Sequence, residues 1–260
     1  MTERRIALIT GATAGIGAAF ARVLSAEGYE LVLVARDNQR LAAVARELGN
    51  ASALPADLST EAGCDEVAQR LRDPANPVDL LVNNAGMSLN TPFLRSTVEQ
   101  EELLLRLNVN AVMRLTHAAL PGMVQRGRGD LINVSSVAGF AGLMPGSTYP
   151  ASKAWVTNFS ESTAQLVRRY GVRVMALCPG YTHTEFHQRA GIKTSKTPGW
   201  MWLDAEFVAR EGLRDLRRGK MVSVPDWKYK MAVFAVRHLP RGVVRRVARD
   251  TRGRIGRDET

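Results

Sequence analysis

The sequence predicts an α/β protein built on a doubly wound parallel β-sheet. Three observations carry that prediction. Short apolar or β-branched runs alternate with longer amphipathic stretches from Arg5 to Val224, the pattern of strands joined by crossover helices. The first strand-to-helix turn holds a glycine loop, Gly11-x-x-x-Gly15-x-Gly17. No internal repeat or low-complexity linker interrupts the 260 residues. A single domain is therefore expected over 1–225, with a short lid over 181–203, followed by a basic helical extension over 226–260.

Composition narrows the class further. Hydrophobic residues at 45% and charged ones at 23% are ordinary for a globular protein. Cys64 and Cys178 have neither the number nor the spacing of a disulfide framework or a metal site. A strand pattern opening at Arg5 leaves no room for a signal peptide, and no apolar run reaches the roughly 18 residues of a membrane span. A cytoplasmic protein is expected. The net charge of +10 is uneven, because residues 221–260 hold ten Lys/Arg against four Asp/Glu.

Arg5–Thr10 reads as a buried strand that runs into the glycine loop, and a helix follows to about Glu27. A helix N-terminus offers free N–H groups and partial positive charge, while glycines let a pyrophosphate approach the backbone. The second strand, Glu30–Ala35, ends at Arg36. In a dinucleotide site an acid at this strand end binds the ribose 2′-hydroxyl, whereas an arginine accommodates a 2′-phosphate. Arg36 thus favours NADP(H) over NAD(H); the competing reading pairs it with neighbouring Asp37.

A helix over about 38–48 and a strand over about 51–56 lead to Asp57-Leu58. Asp57 suits either an adenine amino group or the cap of the next helix, about 61–72. Strand Val78–Val82 ends in Asn83-Asn84-Ala85-Gly86, whose amides can tie neighbouring strands together. One long helix is expected over about 97–126, and within it Asn108 needs a polar partner. A strand over Leu131–Val134 ends in Ser135-Ser136. A helix from Tyr149 to Tyr170 and a strand over Val172–Leu177 follow.

Tyr149 and Lys153 stand four apart, on one helix face. A phenol with pKa about 10 must reach about 7 to exchange protons efficiently, roughly 4 kcal/mol. One cation about 4 Å away supplies that order of energy at an effective dielectric of about 20. Lys153 is therefore expected to acidify Tyr149, with a serine hydroxyl opposite.

TGATAGIG at 10–17, NNAG at 83–86, Asn108, Ser136, YPASK at 149–153 and PGYTHT at 179–184 resemble the short-chain dehydrogenases/reductases, over about residues 5–185. The resemblance implies a Rossmann-like fold assembled as a homodimer or homotetramer. It implies Tyr149 as acid/base, Lys153 as its electrostatic partner, Ser136 (not Ser135) as the group orienting substrate, and Asn108 as holder of a water beside the lysine. It also implies cofactor contacts from Gly11, Thr13, Gly15, Ile16 and Gly17, from Arg36, Asp57 and Leu58, and from Asn83, Ala85 and Gly86. Tyr149 and Lys153 (the latter on the nicotinamide ribose), with Pro179, Gly180, Thr182 and Thr184, complete that set. The implied activity is NADP(H)-dependent interconversion of a ketone and a secondary alcohol. The alternative is a cofactor-binding module that senses redox state or acts as a scaffold without turnover.

The lid holds Tyr181, His183, Phe186, His187, Trp200, Met201 and Trp202. Two Trp and a Met together suit either a lipophilic substrate, such as a 3-oxoacyl thioester or a steroid, or a staple that fixes the lid. His183 and His187 lack a third ligand, so no metal is expected. A helix over 204–218 and a strand over 221–224 follow. In 241–252, Val243, Val244, Val247 and Ala248 face away from Arg245, Arg246, Arg249 and Arg252. This basic amphipathic pattern fits docking on the enzyme's own core or a sister subunit, an anionic membrane, or an acyl carrier. Nucleic acid is not expected, because no base-reading module is present.

Overall fold

The computed structural model describes residues 5–89, 91–140, 147–186 and 198–239. The described strands are β1 Ile6–Thr10, β2 Glu30–Ala35, β3 Ala51–Pro55, β4 Leu80–Asn83, β5 Gly129–Val134, β6 Val172–Leu177 and β7 Val222–Ser223. They form one parallel seven-stranded sheet in the order β3-β2-β1-β4-β5-β6-β7. Every residue of β1 is buried, as its central place requires, whereas the edge strand β3 is largely exposed.

The helices are α1 Gly15–Ala26, α2 Asn38–Leu48, α3 Glu61–Arg72, α4 Val98–Leu105, α5 Ala111–Arg126, α6 Tyr149–Val167, α7 Ala205–Arg217 and α8 Trp227–His238. Most begin at side-chain caps: Asp37, Thr60, Thr97, Asp204 and Asp226 each accept a backbone N–H of the first turn. Gly49, Gly127 and Gly171 close α2, α5 and the 3₁₀ turn after α6 in the left-handed conformation that glycine adopts freely. One core packs Phe20 and Leu24 of α1 and Val208 and Leu213 of α7 on one sheet face. A second packs Val67 of α3 and Leu115 and Met123 of α5 on the other. The sheet is thus covered on both sides, as the near-continuous apolar strands demand.

The expected helix over 97–126 is a finding of a different kind. It is α4 and α5 joined by a π-helical turn, Arg106–Asn110, with Asn108 fully buried inside it. An inserted residue in a helix is a common device for re-aiming a side chain, and here it turns Asn108 inward. Among the described residues no helix is long and apolar enough to cross a membrane. The 241–252 helix expected from sequence lies outside the described residues.

The strand order reverses between β1 and β4, and the loops leaving the C-terminal ends of β1, β4, β5 and β6 converge there. That crevice is where open parallel sheets place ligands.

Candidate active site

The glycine loop is shaped to lie close to something. Gly11 and Gly15 have φ of +65° and +55°, and a Cβ on either would sit within 2.8 Å of Asn84 Nδ2 or of Thr184. Ala14, which precedes α1, provides no side-chain cap, and the first turn of α1 carries no acid. Its N–H groups are therefore left for an anion. Thr13 and Ile16 are half-buried at the same turn. Gly17 is a close-packing position. It is buried, and a Cβ there would meet the Gly11 carbonyl at 2.3 Å and Asn84 Nδ2 at 2.4 Å. It lets α1 press against the loop.

The two asparagines divide their work. Asn84 Nδ2 donates to the carbonyls of Thr10 and Gly11 at 2.9 and 3.2 Å, while the Asn84 and Ala85 N–H groups donate to Thr10 Oγ1 at 2.9 Å each. This tie between neighbouring strands, expected from the paired asparagines, locks the β4 end to the glycine loop. Asn83 turns the other way and donates to Asn133 Oδ1 at 2.9 Å and Thr116 Oγ1 at 3.3 Å. The Asn83 Nδ2 group is thus spent inside the core, while its Oδ1 is buried without a partner among the described residues.

At the adenosine end Arg36 is exposed and makes no ion pair among the described residues. Asp37 instead caps α2 through Arg40 N–H at 3.0 Å, so the competing Arg36–Asp37 pair does not form. Asp57 accepts both the N–H and hydroxyl of Ser59 at 2.9 and 2.7 Å, and Thr60 caps α3. The Leu58 side chain is buried in the core beneath α3. Asp57 Oδ1 thus closes a turn at the end of β3, and the Leu58 side chain packs inward beside it.

At the other end of the crevice, Ser135 and Ser136 point to opposite sides, as successive residues leaving a strand do. Ser135 is buried and bonds the Lys153 carbonyl and Thr157 hydroxyl at 2.7 Å each, bracing α6 against β5. Ser136 Oγ accepts the Ala138 N–H at 3.1 Å and lies near enough to the Tyr149 hydroxyl to favour its ionised form. Pro150 occupies the first helical turn, where its missing N–H costs nothing.

Lys153 is buried and donates from Nζ to the Val134 carbonyl at 2.9 Å, with Nζ 5.8 Å from the Tyr149 ring centroid. Asn108 accepts the Met87 N–H and donates to the Met87 carbonyl, both at 2.9 Å, and reaches Ser152 Oγ at 3.3 Å. Ser152 in turn donates to the Tyr149 carbonyl at 2.7 Å. Gly86 allows this meeting, since its Cβ would lie 3.1 Å from Asn108 Oδ1 and 3.5 Å from Lys153 Nζ. The geometry brings Asn108, Ser136, Tyr149, Lys153 and Gly86 together.

Their ionisation departs from expectation. Burial pushes the Tyr149 phenol up to about 12, against a smaller opposing pull from Ser136. Burial also brings Lys153 down to about 8. Burial thus opposes the expected acidification of Tyr149, and the lysine head is turned to the strand carbonyl.

The lid base is a tightly knit corner. Pro179 accepts the Val137 N–H at 3.1 Å, and a parallel bridge joins Thr182 to Leu203. Thr182 is buried with its hydroxyl on the Gly180 carbonyl at 3.1 Å, and a Cβ on Gly180 would strike the Tyr229 ring at 2.0–2.3 Å. Gly180 and Thr182 thus hold this corner together. Tyr229 accepts the Tyr181 N–H at 3.0 Å and donates to the Met201 carbonyl at 2.7 Å. It is an anchor that no local pattern in the sequence announces. Thr184, by contrast, lies directly over Gly15. Trp202 stacks on His183 at 4.7 Å and packs against Tyr181 at 5.6 Å, which is the staple reading, while Phe186 approaches Tyr149 at 6.0 Å between centroids. His187 lies outside the described residues.

Residues 5–194 match the family described as short chain dehydrogenase. A solved short-chain dehydrogenase from Sphingobium yanoikuyae in complex with NADPH is 35% identical, with a TM-score of 0.83 covering 92% of this chain and 95% of that one. The bulky-bulky ketone specific alcohol dehydrogenase from Comamonas testosteroni is 27% identical, with a TM-score of 0.78 covering 100% of this chain and 96% of that one. The 3-oxoacyl-(acyl-carrier-protein) reductase of Escherichia coli is 33% identical over 197 residues, 73% of this chain and 81% of its own. With the serine–tyrosine–lysine cluster at the mouth of a glycine-lined crevice, the chain belongs to the short-chain dehydrogenase family.

Proposed function

We propose that the chain is an NADP(H)-dependent oxidoreductase that interconverts a ketone and a secondary alcohol on a lipophilic substrate. The observation that carries this reading is the Ser136–Tyr149 hydroxyl pair standing beside buried Lys153 and Asn108, next to the glycine loop. The residues present fit the cofactor. Gly11, Gly15 and the uncapped α1 N-terminus would hold its pyrophosphate, and exposed Arg36 its 2′-phosphate. When bound, the nicotinamide supplies or takes up the hydride.

The chain's own side chains handle the proton. Tyr149 stays protonated at neutral pH and so stands ready to donate to a carbonyl oxygen as it gains charge. Ser136, beside Tyr149, holds the same oxygen in line through its hydroxyl. The Lys153 cation stabilises the tyrosinate once the proton has left, and Asn108, held at Met87 and Ser152, keeps this wall of the site in place.

A lipophilic substrate is supported by Phe186 facing Tyr149. Two relatives named for a bulky-bulky ketone and a 3-oxoacyl carrier support it too. Exposed Met113 on α5 and Trp155 and Leu166 on α6 support a homodimer or homotetramer. The protein is cytoplasmic and peripheral at a membrane through its basic C-terminal extension. The test is NADPH consumption with short- and long-chain ketones, alongside Tyr149→Phe. The variant should lose turnover while binding NADPH normally; retained turnover would refute the proton role.

A further inference from the structure

The last described helix wears its apolar residues on the outside. Trp227, Met231 and Phe234 are 68%, 60% and 58% exposed, and Trp200 at the lid is 63% exposed. At about 100° per residue, taking Trp227 as 0°, Met231 falls near 40°, Phe234 near 340° and His238 near 20°. His238 stacks on Phe234 at 4.2 Å, so these four make one continuous stripe. Tyr229 falls near 200°, and it is the side chain that pins α8 to Gly180, Tyr181 and Met201. The helix cannot roll to hide the stripe without breaking that anchor.

Basic side chains border the stripe on both sides, Lys228 near 100° and Lys230 and Arg237 near 300° and 280°. Lys228 Nζ also donates to the Trp200 carbonyl at 3.2 Å and lies 5.8 Å from its ring centroid, which joins the lid to the patch. The sequence beyond continues the charge, with seven Arg against three acids in residues 240–260.

We propose that α8 and Trp200 form a docking surface for an anionic lipid bilayer. Aromatic and methionine side chains enter the headgroup boundary while flanking cations meet lipid phosphates. Charge decides against the two occupants that this chain itself could supply. A second copy placed face to face would set Lys228, Lys230 and Arg237 against their own kind, and the chain's own arginine-rich end carries the same sign. The proposal names the surface for the peripheral membrane contact stated above and rests on that reading. Because Tyr229 links α8 to the lid, the docked enzyme would hold its substrate entrance at the lipid boundary.

The experiment is sedimentation of the full-length protein with vesicles of phosphatidylcholine alone, or mixed equally with phosphatidylglycerol. The protein should bind only the mixed vesicles and dissociate as salt rises. Trp227→Ala with Phe234→Ser should weaken binding about tenfold or more, with an unchanged melting temperature and unchanged turnover of a water-soluble ketone. Leu166→Ser, exposed elsewhere, should bind as wild type. Equal binding by the Trp227/Phe234 variant overturns the proposal. So does a change of its oligomeric state without loss of lipid binding, which would assign the stripe to a second copy. Arg245→Glu with Arg249→Glu separates the two readings: if it alone abolishes binding, the membrane contact survives and α8 is not its surface. A wild type that ignores anionic vesicles ends both.

Discussion

Glu101 of α4 grips Thr148, the residue immediately before Tyr149. Its Oε2 accepts both the backbone N–H and the hydroxyl of Thr148, at 2.9 and 2.7 Å, and its Oε1 accepts the Ser96 hydroxyl at 2.7 Å. α6 has no side-chain cap of its own, so this buried carboxylate from another helix meets the positive end of its dipole. Burial alone would raise the Glu101 carboxyl, but the three hydrogen bonds outweigh it and hold it below the ordinary range.

Glu101→Ala should therefore destabilise the fold by about 1–3 kcal/mol, the cost of leaving buried donors unpaired. Glu101→Gln should lose less, since one oxygen acceptor remains. Because the folded carboxyl is depressed, its contribution is present above the unfolded value near 4.3 and fades as pH falls through the folded value. Denaturant melts of wild type and Glu101→Gln should converge below about pH 4; parallel curves would count against this account.

Lys153 acts in the opposite sense. Its folded value of about 8 lies below the unfolded value of about 10.4, so the unfolded chain binds more protons between the two. This residue's penalty on folding is complete below about pH 8 and gone above about 10.4, and stability should climb with pH across that window. Lys153→Met should flatten the climb in the ligand-free protein. Tyr149 sits the other way, and above about pH 10 its contribution reverses the slope.

Gly180 has no room for a methyl group. The Tyr229 ring is fixed at its hydroxyl by two hydrogen bonds and cannot back away, so Gly180→Ala should cost about 1–3 kcal/mol from overpacking. Combining it with Tyr229→Ala should cost less than the two added together. Strict additivity in thermal melts would mean that the contact carries no energy.

Arg36→Asp should shift the ratio of kcat/KM for NADPH over NADH toward NADH by tenfold or more, about 1.4 kcal/mol. The arginine is exposed at the β2 end and unpaired among the described residues, so its loss disturbs little else. An unchanged ratio would move 2′-phosphate recognition to another residue.

Much of this was legible because it is local. β1, the glycine loop and α1 follow from one apolar run, three glycines and an amphipathic stretch, and Tyr149–Lys153 from helical spacing. What hid was anything set by direction or distance. Asn83 and Asn84 are adjacent, yet a strand sends one into the core and the other to the loop. Lys153 was expected to face the phenol, but a lysine can turn its head, and the Val134 carbonyl competes for it. Asn108 announced itself as an anomaly in a helix, without announcing the π-helical turn that accommodates it. The Tyr229 and Glu101 ties cross from one part of the chain to another, where periodicity is silent.

The Tyr229 tether gives the end of the chain a say in turnover. A residue swapped, cleaved or fused just past α8 tugs on a hydroxyl that props both flanks of the lid. Activity should respond to edits made well outside the crevice. The position of the lid is then set in part from the far end of the described residues, and an affinity handle for this enzyme belongs at its N-terminus.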